Sequence, residues 1–214
     1  IYVDNPISVM DYASLYPSSM ISENISHDSI VLDKKYDNLK DFKYVDISYD
    51  IFDKNKEKVG VKTCRYAQFP NSEKGILPRI LMKLLSQRKA TRKKAMHKTV
   101  TTKSNDIYIG LVKEENNSFI ITTSNNKIIT VSSDEIQDIQ DTYNEFTQAV
   151  LDGLQLAYKI TANSLYGQVG ARTSSIYMKE LAASTTATGR NLILSAKDFM
   201  EEHYDSKVNY GDTD

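Results

Sequence analysis

The sequence of 214 residues has a single cysteine, no tryptophan and almost no net charge. The one cysteine, Cys64, excludes a disulfide within the chain, so we expect a buried thiol in a reducing compartment. The formal net charge of -1 excludes proteins that bind nucleic acid through overall basicity, so any such role must rest on local clusters. No apolar run approaches the ~18 residues of a membrane span. No leader of the signal-peptide type opens the chain, and we expect an intracellular protein without membrane contact.

Length and apolar content set the size of the fold. With 40% hydrophobic residues, the chain can bury the core of one domain or of two small ones. It begins at Ile1 without an initiator methionine, and it ends at Asp214 before any residue that closes the structure begun at Tyr210. We therefore expect a fragment of a longer protein.

Hydrophobic spacing predicts helices in four places. Apolar residues at helical spacing follow Pro78 and lead into basic residues as far as Lys98, which predicts one helix, half core and half basic. The other predicted helices start near Pro17, run over residues 152–166 with Gly167 as the stop, and run over residues 181–203.

Short segments of β-branched and aromatic residues predict strands. The asparagine pairs at 116–117 and 125–126 separate three such segments and suit turns, so we expect a small meander there. The predicted strands cover residues 1–3, 7–10, 44–47, 107–109, 119–121 and 128–131, with a last one that ends at Tyr210.

The first chemical motif is the segment Asp11–Ser18, with the sequence DYASLYPS. An aspartate at a strand end, followed by a turn into a helix, supplies a Mg²⁺ ligand beside backbone N–H groups that can bind phosphate. Each residue also has a purely structural explanation, because aspartate forms turns and a tyrosine beside proline often packs in a core. The segment alone leaves both interpretations open.

The second motif is Tyr210–Asp214, in which Asp212 and Asp214 flank a threonine after a glycine. Two carboxylates on one loop often form nothing more than a solvated acidic turn. Paired with Asp11, however, Asp214 completes a two-carboxylate site for two Mg²⁺ ions, since such ions take oxygen ligands from different elements.

Two helical segments carry polar groups on one face. Arg88 and Arg92 lie four residues apart on a helix whose charges are nearly all positive, so an anion between them relieves the repulsion. Lys159, Asn163 and Tyr166 share a face of a later helix at positions i, i+4 and i+7. A solvated basic face and an ordinary amphipathic helix with a snorkelling lysine are the structural alternatives.

Taken together, these segments resemble motif A, the first fingers helix, motif B and motif C of family B DNA polymerases, in that order. The matching patterns are Asp-x-x-Ser-Leu-Tyr-Pro-Ser, Lys-x-x-x-Asn-Ser-x-Tyr-Gly and Tyr-Gly-Asp-Thr-Asp. The resemblance covers nearly the whole chain except residues 99 to about 147, which we interpret as an insertion. The motifs look most similar to delta-like polymerases of eukaryotes and large DNA viruses.

The resemblance implies a role for each matched residue. Asp11 and Asp214 bind two Mg²⁺ ions with help from the Tyr12 backbone, and Asp212 lies near them as a further catalytic carboxylate. The Tyr16 ring lies under the sugar and excludes ribonucleotides. The implied dNTP-binding residues are Ser14, Leu15, Tyr16, Arg88, Arg92, Lys159 and Asn163, and the implied contacts to DNA and the nascent base pair are Ser164, Tyr166 and Gly167.

The implied fold is α+β. An incomplete palm, an antiparallel sheet packed on helices, comprises residues 1–70 and 171–214. The fingers, a helical hairpin over residues 71–170, carry a small β insertion at 99–147.

The implied reaction is template-directed transfer of dNMP from a dNTP to a primer 3′-OH. Its partners are primer-template DNA, dNTPs and a processivity factor bound through parts outside this chain. The implied location is the nucleus or a viral replication site, including a cytoplasmic one. We expect the chain alone to be weakly active or inactive. Two alternatives remain open: a polymerase relative that binds nucleic acid without catalysis, and an interaction domain with accidental motifs.

Overall fold

The computed structural model describes residues 7–204 and 206–212. Helices and antiparallel sheets alternate along this part of the chain, which confirms the predicted α+β class. The helices are α1 (Leu15–Ser22), α2 (Ile76–Ala95), α3 (Glu145–Gly170) and α4 (Lys179–His203). The strands are β1 (Lys43–Phe52), β2 (Lys58–Gln68), β3 (Lys98–Thr102), β4 (Ile107–Glu115), β5 (Ser118–Thr123), β6 (Ile128–Ser132) and β7 (Ile136–Asp141).

The chain forms two compact units. The first unit contains residues up to Met82 and from Ala162 onward, and the second contains Lys83–Thr161. The boundaries fall inside α2 and inside α3, so each of these helices begins in one unit and ends in the other.

In the first unit β1 and β2 form an antiparallel hairpin, and α4 packs against β1 and against α1. Tyr66 of β2 is fully buried, and its hydroxyl donates a hydrogen bond to Oγ of Ser184 on α4 at 2.9 Å. Cys64 is buried on the same strand with its thiol 3.9 Å from the Tyr49 hydroxyl, which confirms the predicted buried thiol.

The second unit contains a five-stranded antiparallel sheet in the order β6-β5-β4-β3-β7. Strand β4 pairs with β3 through its first half and with β5 through its second half, and the change occurs at Gly110. A Cβ at Gly110 would lie 2.3 Å from the carbonyl oxygen of Thr122, so only glycine fits at this position of the strand. One face buries a small core around Val100, Ile121 and Val131.

The turns of this sheet follow the prediction. Asn116 and Asn117 join β4 to β5, and both have positive φ (48° and 63°), the conformation that asparagine tolerates in a two-residue hairpin. The predicted meander is therefore confirmed for β4 to β6. Strands β3 and β7, which precede and follow it in sequence and both lie on the β4 side of the sheet, were not predicted.

Helix α3 differs from its prediction at both ends. It begins at Glu145 rather than at residue 152, because the Asn144 side chain accepts a hydrogen bond from the Thr147 N–H and caps it. Phe146 and Val150 in its first turns are exposed, which hid the helix from a search for a buried face. Gly167 does not end it, since no described glycine has positive φ and the helix continues to Gly170.

Other boundaries also need correction. Helix α2 ends at Ala95, so Lys98 begins β3 rather than extending the helix. The strand predicted at residues 7–10 is wrong, because those residues are exposed and have no partner among the described strands. The predicted strand ending at Tyr210 is likewise absent from the described residues. Helix α4 and β1 confirm their predictions, and the strand predicted at 1–3 lies outside the described residues.

Candidate active site

The segment Asp11–Ser18 forms a tight turn into α1. Ser14 has left-handed backbone angles (φ 57°, ψ 60°), and helical bonding starts with the Ser18 N–H donating to the Ser14 carbonyl at 2.9 Å. The Ser18 hydroxyl also donates to the Ala13 carbonyl at 3.0 Å. The turn therefore holds the backbone of Ser14 and Leu15 in one defined conformation, starting three residues after Asp11.

In the first unit, two tyrosines from motifs far apart in the sequence are in contact. The ring of Tyr16 on α1 stacks on the ring of Tyr166 on α3, with centroids 4.4 Å apart and planes inclined by 23°. The Tyr166 hydroxyl lies 2.8 Å from Oγ1 of Thr186 on α4. Because Thr186 donates its own hydrogen to the Ala182 carbonyl at 3.0 Å, Tyr166 is the donor of this bond.

Helix α4 supports both ends of the described chain. The Tyr12 hydroxyl donates to the Leu192 carbonyl at 3.1 Å. A Cβ at Gly189 would lie 3.3 Å from Cε1 of Tyr16, and a Cβ at Gly211 would lie 3.5 Å from Cγ2 of Ile193. The segments that carry Asp11 and Asp212, some two hundred residues apart in sequence, therefore rest on adjacent turns of one helix.

The acidic residues of the candidate site are exposed. Asp11 and Asp212 both face solvent, and Asp212 accepts a hydrogen bond from the Tyr210 hydroxyl at 2.7 Å. Asp214 lies outside the described residues, and within them no three histidine, cysteine or acidic side chains form a cluster. Two exposed carboxylates on segments held by the same helix offer the oxygen donors that Mg²⁺ prefers.

In the second unit, the helices α2 and α3 that carry the predicted basic residues pack side by side. Arg88 on α2 donates from Nε to Oε1 of Gln155 on α3 at 3.3 Å, and Gln148 donates to the Ala95 carbonyl at 3.0 Å. Residue numbers rise along one helix as they fall along the other, so the helices are antiparallel. Lys159, one turn beyond Gln155, shares its face of α3.

The remaining predicted residues are exposed or half-buried on these helices. Arg92, Lys159, Asn163, Ser164 and Gly167 are exposed, and a Cβ at Gly167 would meet nothing within 4 Å. Asn163, Ser164 and Gly167 belong to the first unit, whereas Arg88, Arg92 and Lys159 belong to the second.

The sequence did not reveal a polar cap at the start of α2, in which Asn24 and Ser26 are buried and Asp28 is exposed. Both carboxylate oxygens of Asp28 accept from the Ile76 N–H at 3.1 Å, and Ser26 Oγ accepts from the Leu77 N–H at 3.2 Å. Asn24, fully buried, accepts from the Gly75 N–H at 2.7 Å. The side-chain caps of α2 thus come from residues about fifty positions earlier, just after α1. The run of polar residues from 22 to 29, interrupted only by Ile25, was the available signal.

Two ion pairs of the hairpin lie on its exposed parts. Arg65 donates two hydrogen bonds of 2.7 Å to Asp46, its cross-strand neighbour, and these bonds hold the pKa of Asp46 below its usual value. Lys62 donates to Glu180 on α4 at 2.7 Å and likewise lowers the pKa of that carboxyl. Burial raises the pKa of Tyr66 well above that of a free tyrosine.

Helix composition bears on membrane association. Within the described part of the chain, no helix is both long enough and apolar enough to span a bilayer.

Comparison with curated proteins gives relatives over nearly the whole chain. The chain is 72% identical over 218 residues to a DNA polymerase of Pyramimonas orientalis virus, covering all of this chain and 18% of that protein. It is 38% identical over 236 residues to a DNA polymerase of Phaeocystis pouchetii virus, covering 96% of this chain and 18% of that protein. It is 30% identical over 222 residues to the DNA polymerase delta catalytic subunit of Dictyostelium discoideum, covering all of this chain and 15% of that protein. The chain thus spans less than a fifth of the length of these relatives.

One solved structure and one protein-family model also match the chain. The family B DNA polymerase from Pyrobaculum calidifontis is 19% identical with a TM-score of 0.48, over 89% of this chain and 17% of that one. The family model of DNA polymerase family B matches residues 1–110 and 106–214, which together span the sequence. The chain belongs to DNA polymerase family B.

Proposed function

We propose that this chain forms the nucleotide-binding and catalytic surface of a replicative DNA polymerase. The observation that carries this proposal is the convergence on α4 of the segments holding Asp11, Tyr16 and Asp212. These segments are the family motifs, and their packing onto one helix supports a common site. The reaction is template-directed transfer of dNMP from a dNTP to a primer 3′-OH.

In this proposal the first unit binds the sugar and the catalytic ions. Asp11, the Tyr12 backbone and Asp214 hold two Mg²⁺ ions, with Asp212 as a nearby acidic group. When bound, Mg²⁺ activates the primer 3′ oxygen and neutralises the leaving diphosphate. The fixed turn at Ser14 and Leu15 presents backbone N–H groups to the triphosphate, and Tyr16 excludes a 2′-hydroxyl.

The second unit supplies positive charge. Arg88, Arg92 and Lys159 bind the triphosphate, and Gln155 orients Arg88 through the 3.3 Å hydrogen bond. Catalysis then depends on positioning and charge neutralisation, without a covalent intermediate on the protein. Asn163, Ser164, Tyr166 and Gly167 lie beside the nascent base pair and sense its shape.

The domain assignment rests on the resemblance of the sequence motifs to those of the family. We propose that residues 1–70 and 171–214 belong to a palm and residues 71–170 to fingers, with an insertion at 99–147. The partners are primer-template DNA and a processivity factor, the latter bound outside this chain. The 72% identity to a viral polymerase supports replication in an infected cell, in the nucleus or in a cytoplasmic replication site.

Binding of dNTP tests this proposal directly. In a full-length polymerase that contains these residues, we expect dATP to bind in the presence of Mg²⁺ and primer-template DNA. The Asp11→Ala variant should lose the Mg²⁺-dependent part of this binding while it keeps binding to primer-template. If the intact protein binds DNA and no dNTP, a non-catalytic binding function replaces the proposal.

A further inference from the structure

Gly189 of α4 lies against the ring that we propose as the sugar filter. A Cβ built at Gly189 would be 3.3 Å from Cε1 of Tyr16, and 3.4 and 3.5 Å from Cδ2 and Cγ of Leu15. Ordinary contacts between carbon atoms are about 3.5–4.0 Å. The backbone of α4 at Gly189 therefore limits, by steric contact, how far the Tyr16 ring can move toward the helix.

The same face of α4 holds the second ring of the stack. Thr186 lies three residues before Gly189, and it accepts the hydrogen bond from the Tyr166 hydroxyl at 2.8 Å. Tyr166 in turn stacks on Tyr16 with centroids 4.4 Å apart. Helix α4 thus holds Tyr166 through its hydroxyl and Tyr16 through the edge of its ring, and so determines the position of the stacked pair.

We infer that Gly189 and Thr186 are positioning residues that set the stringency of sugar selection through the Tyr16–Tyr166 stack. This inference rests on the proposed function, because it assumes that Tyr16 excludes ribonucleotides. Neither residue belongs to the motifs that carry the family resemblance. They act on the nucleotide through Tyr16 and Tyr166.

The geometry gives the direction of each effect. In Gly189→Ala the added methyl moves the Tyr16 ring by a few tenths of an ångström away from α4, because Tyr166 restrains tilting. Tyr16 is half-buried. The inference puts the sugar on the side of the ring away from α4, so we expect this displacement to narrow the proposed sugar site. In Thr186→Val the side chain keeps its shape but loses the acceptor for Tyr166, and the stack loosens. The two substitutions should therefore change selectivity in opposite directions.

The test measures the ratio of kcat/KM for dCTP over CTP in primer extension by the full-length polymerase. We expect Gly189→Ala to raise this ratio about tenfold, the lower end of what one methylene changes in a packed pocket. Thr186→Val should lower it. The matched control is Gly170→Ala, whose Cβ would meet Cβ of Ala182 on α4 at 3.4 Å and does not contact Tyr16. Its ratio should stay unchanged.

Tyr16→Ala separates failure of the inference from failure of the proposed function. If Tyr16→Ala admits CTP while Gly189→Ala and Thr186→Val leave the ratio unchanged, the inference is overturned and the filter stands. If Tyr16→Ala leaves the ratio unchanged, the filter and the inference both fall. Equal shifts in Gly189→Ala and in Gly170→Ala would show a general packing effect and would also overturn the inference. Thermal unfolding of each variant checks that the ratios come from folded protein.

Discussion

Arg88 on α2 donates a hydrogen bond from Nε to Oε1 of Gln155 on α3, at 3.3 Å. This bond joins the two helices that carry Arg88, Arg92 and Lys159, the proposed triphosphate-binding residues of the second unit. Among the residues that the structure describes, the guanidinium is bonded through Nε alone, which leaves its terminal nitrogens to bind an anion. Gln155 is neutral and orients Arg88 without cancelling its charge.

The first prediction follows from that orientation. In a full-length polymerase, Arg88→Lys should raise KM for dNTP about tenfold, because an ammonium cannot keep the planar fork that Gln155 orients. Gln155→Ala should raise KM by a smaller factor, with kcat nearly unchanged. Steady-state primer extension measures both constants. Lys113→Ala, which removes a lysine paired with Glu115 on the β sheet, is the control and should leave KM unchanged.

The second prediction concerns the cap of α2. Asp28→Ala removes the acceptor of the Ile76 N–H and should lower the free energy of unfolding by about 1 kcal/mol, as loss of a helix cap does. Asp28→Asn keeps an acceptor oxygen and should therefore retain most of the stability that Asp28→Ala loses. Urea denaturation of the 214-residue chain gives the values. Equal losses in the two variants would show that the cap bond contributes nothing.

The third prediction concerns Gly110. Gly110→Ala places a methyl 2.3 Å from the Thr122 carbonyl oxygen, so β4 and β5 cannot keep their spacing. The free energy of unfolding should fall by about 2 kcal/mol or more. Gly60→Ala is the control, because Gly60 also lies in a strand and its Cβ would meet nothing within 4 Å. That change should be neutral or slightly stabilising. Similar losses in both variants would contradict the steric explanation.

The fourth prediction concerns pH. The carboxyls of Asp46 and Glu180 have lowered pKa values, first because Arg65 and Lys62 respectively donate hydrogen bonds to them. Their contribution to stability is therefore fully present above the unfolded pKa values of about 4. It is lost as the pH falls through the lower folded values. The side chains are partly exposed, so each pair should contribute less than about 1 kcal/mol.

Urea midpoints of the 214-residue chain at pH 7 and pH 3 measure this contribution. Asp46→Asn should reduce the loss of stability between the two pH values. A variant with the same acid dependence as the intact chain would show that the Arg65 pair does not contribute.

The sequence predicted the local features of this fold better than the non-local ones. Helix α4 and the asparagine turns were predicted correctly because local spacing and turn chemistry decide them. Strand β7 was missed because it forms by pairing with β3, some forty residues earlier. The early start of α3 was missed because Phe146 is exposed, so no buried stripe marks its first turns.

In the candidate site, too, local motifs were predicted from sequence and contacts between distant residues were not. Asp11, Tyr16 and Tyr166 were named from short motifs, and the Tyr16–Tyr166 stack is a contact that no motif specifies. Gly189 and Thr186 could not be identified from sequence, because an isolated glycine or threonine in a helix has no functional signature. Their significance comes only from the side chains that tertiary packing places against them.

The central claim is that these residues form a DNA-synthesising site, and primer extension tests it most directly. A full-length polymerase containing this sequence is assayed with primer-template, dNTPs and Mg²⁺ beside its Asp11→Ala and Tyr16→Ala variants. We predict that Asp11→Ala abolishes extension and that Tyr16→Ala extends primers while it accepts ribonucleotides. Undiminished extension by Asp11→Ala, or no extension by an intact protein that binds primer-template, would contradict the claim.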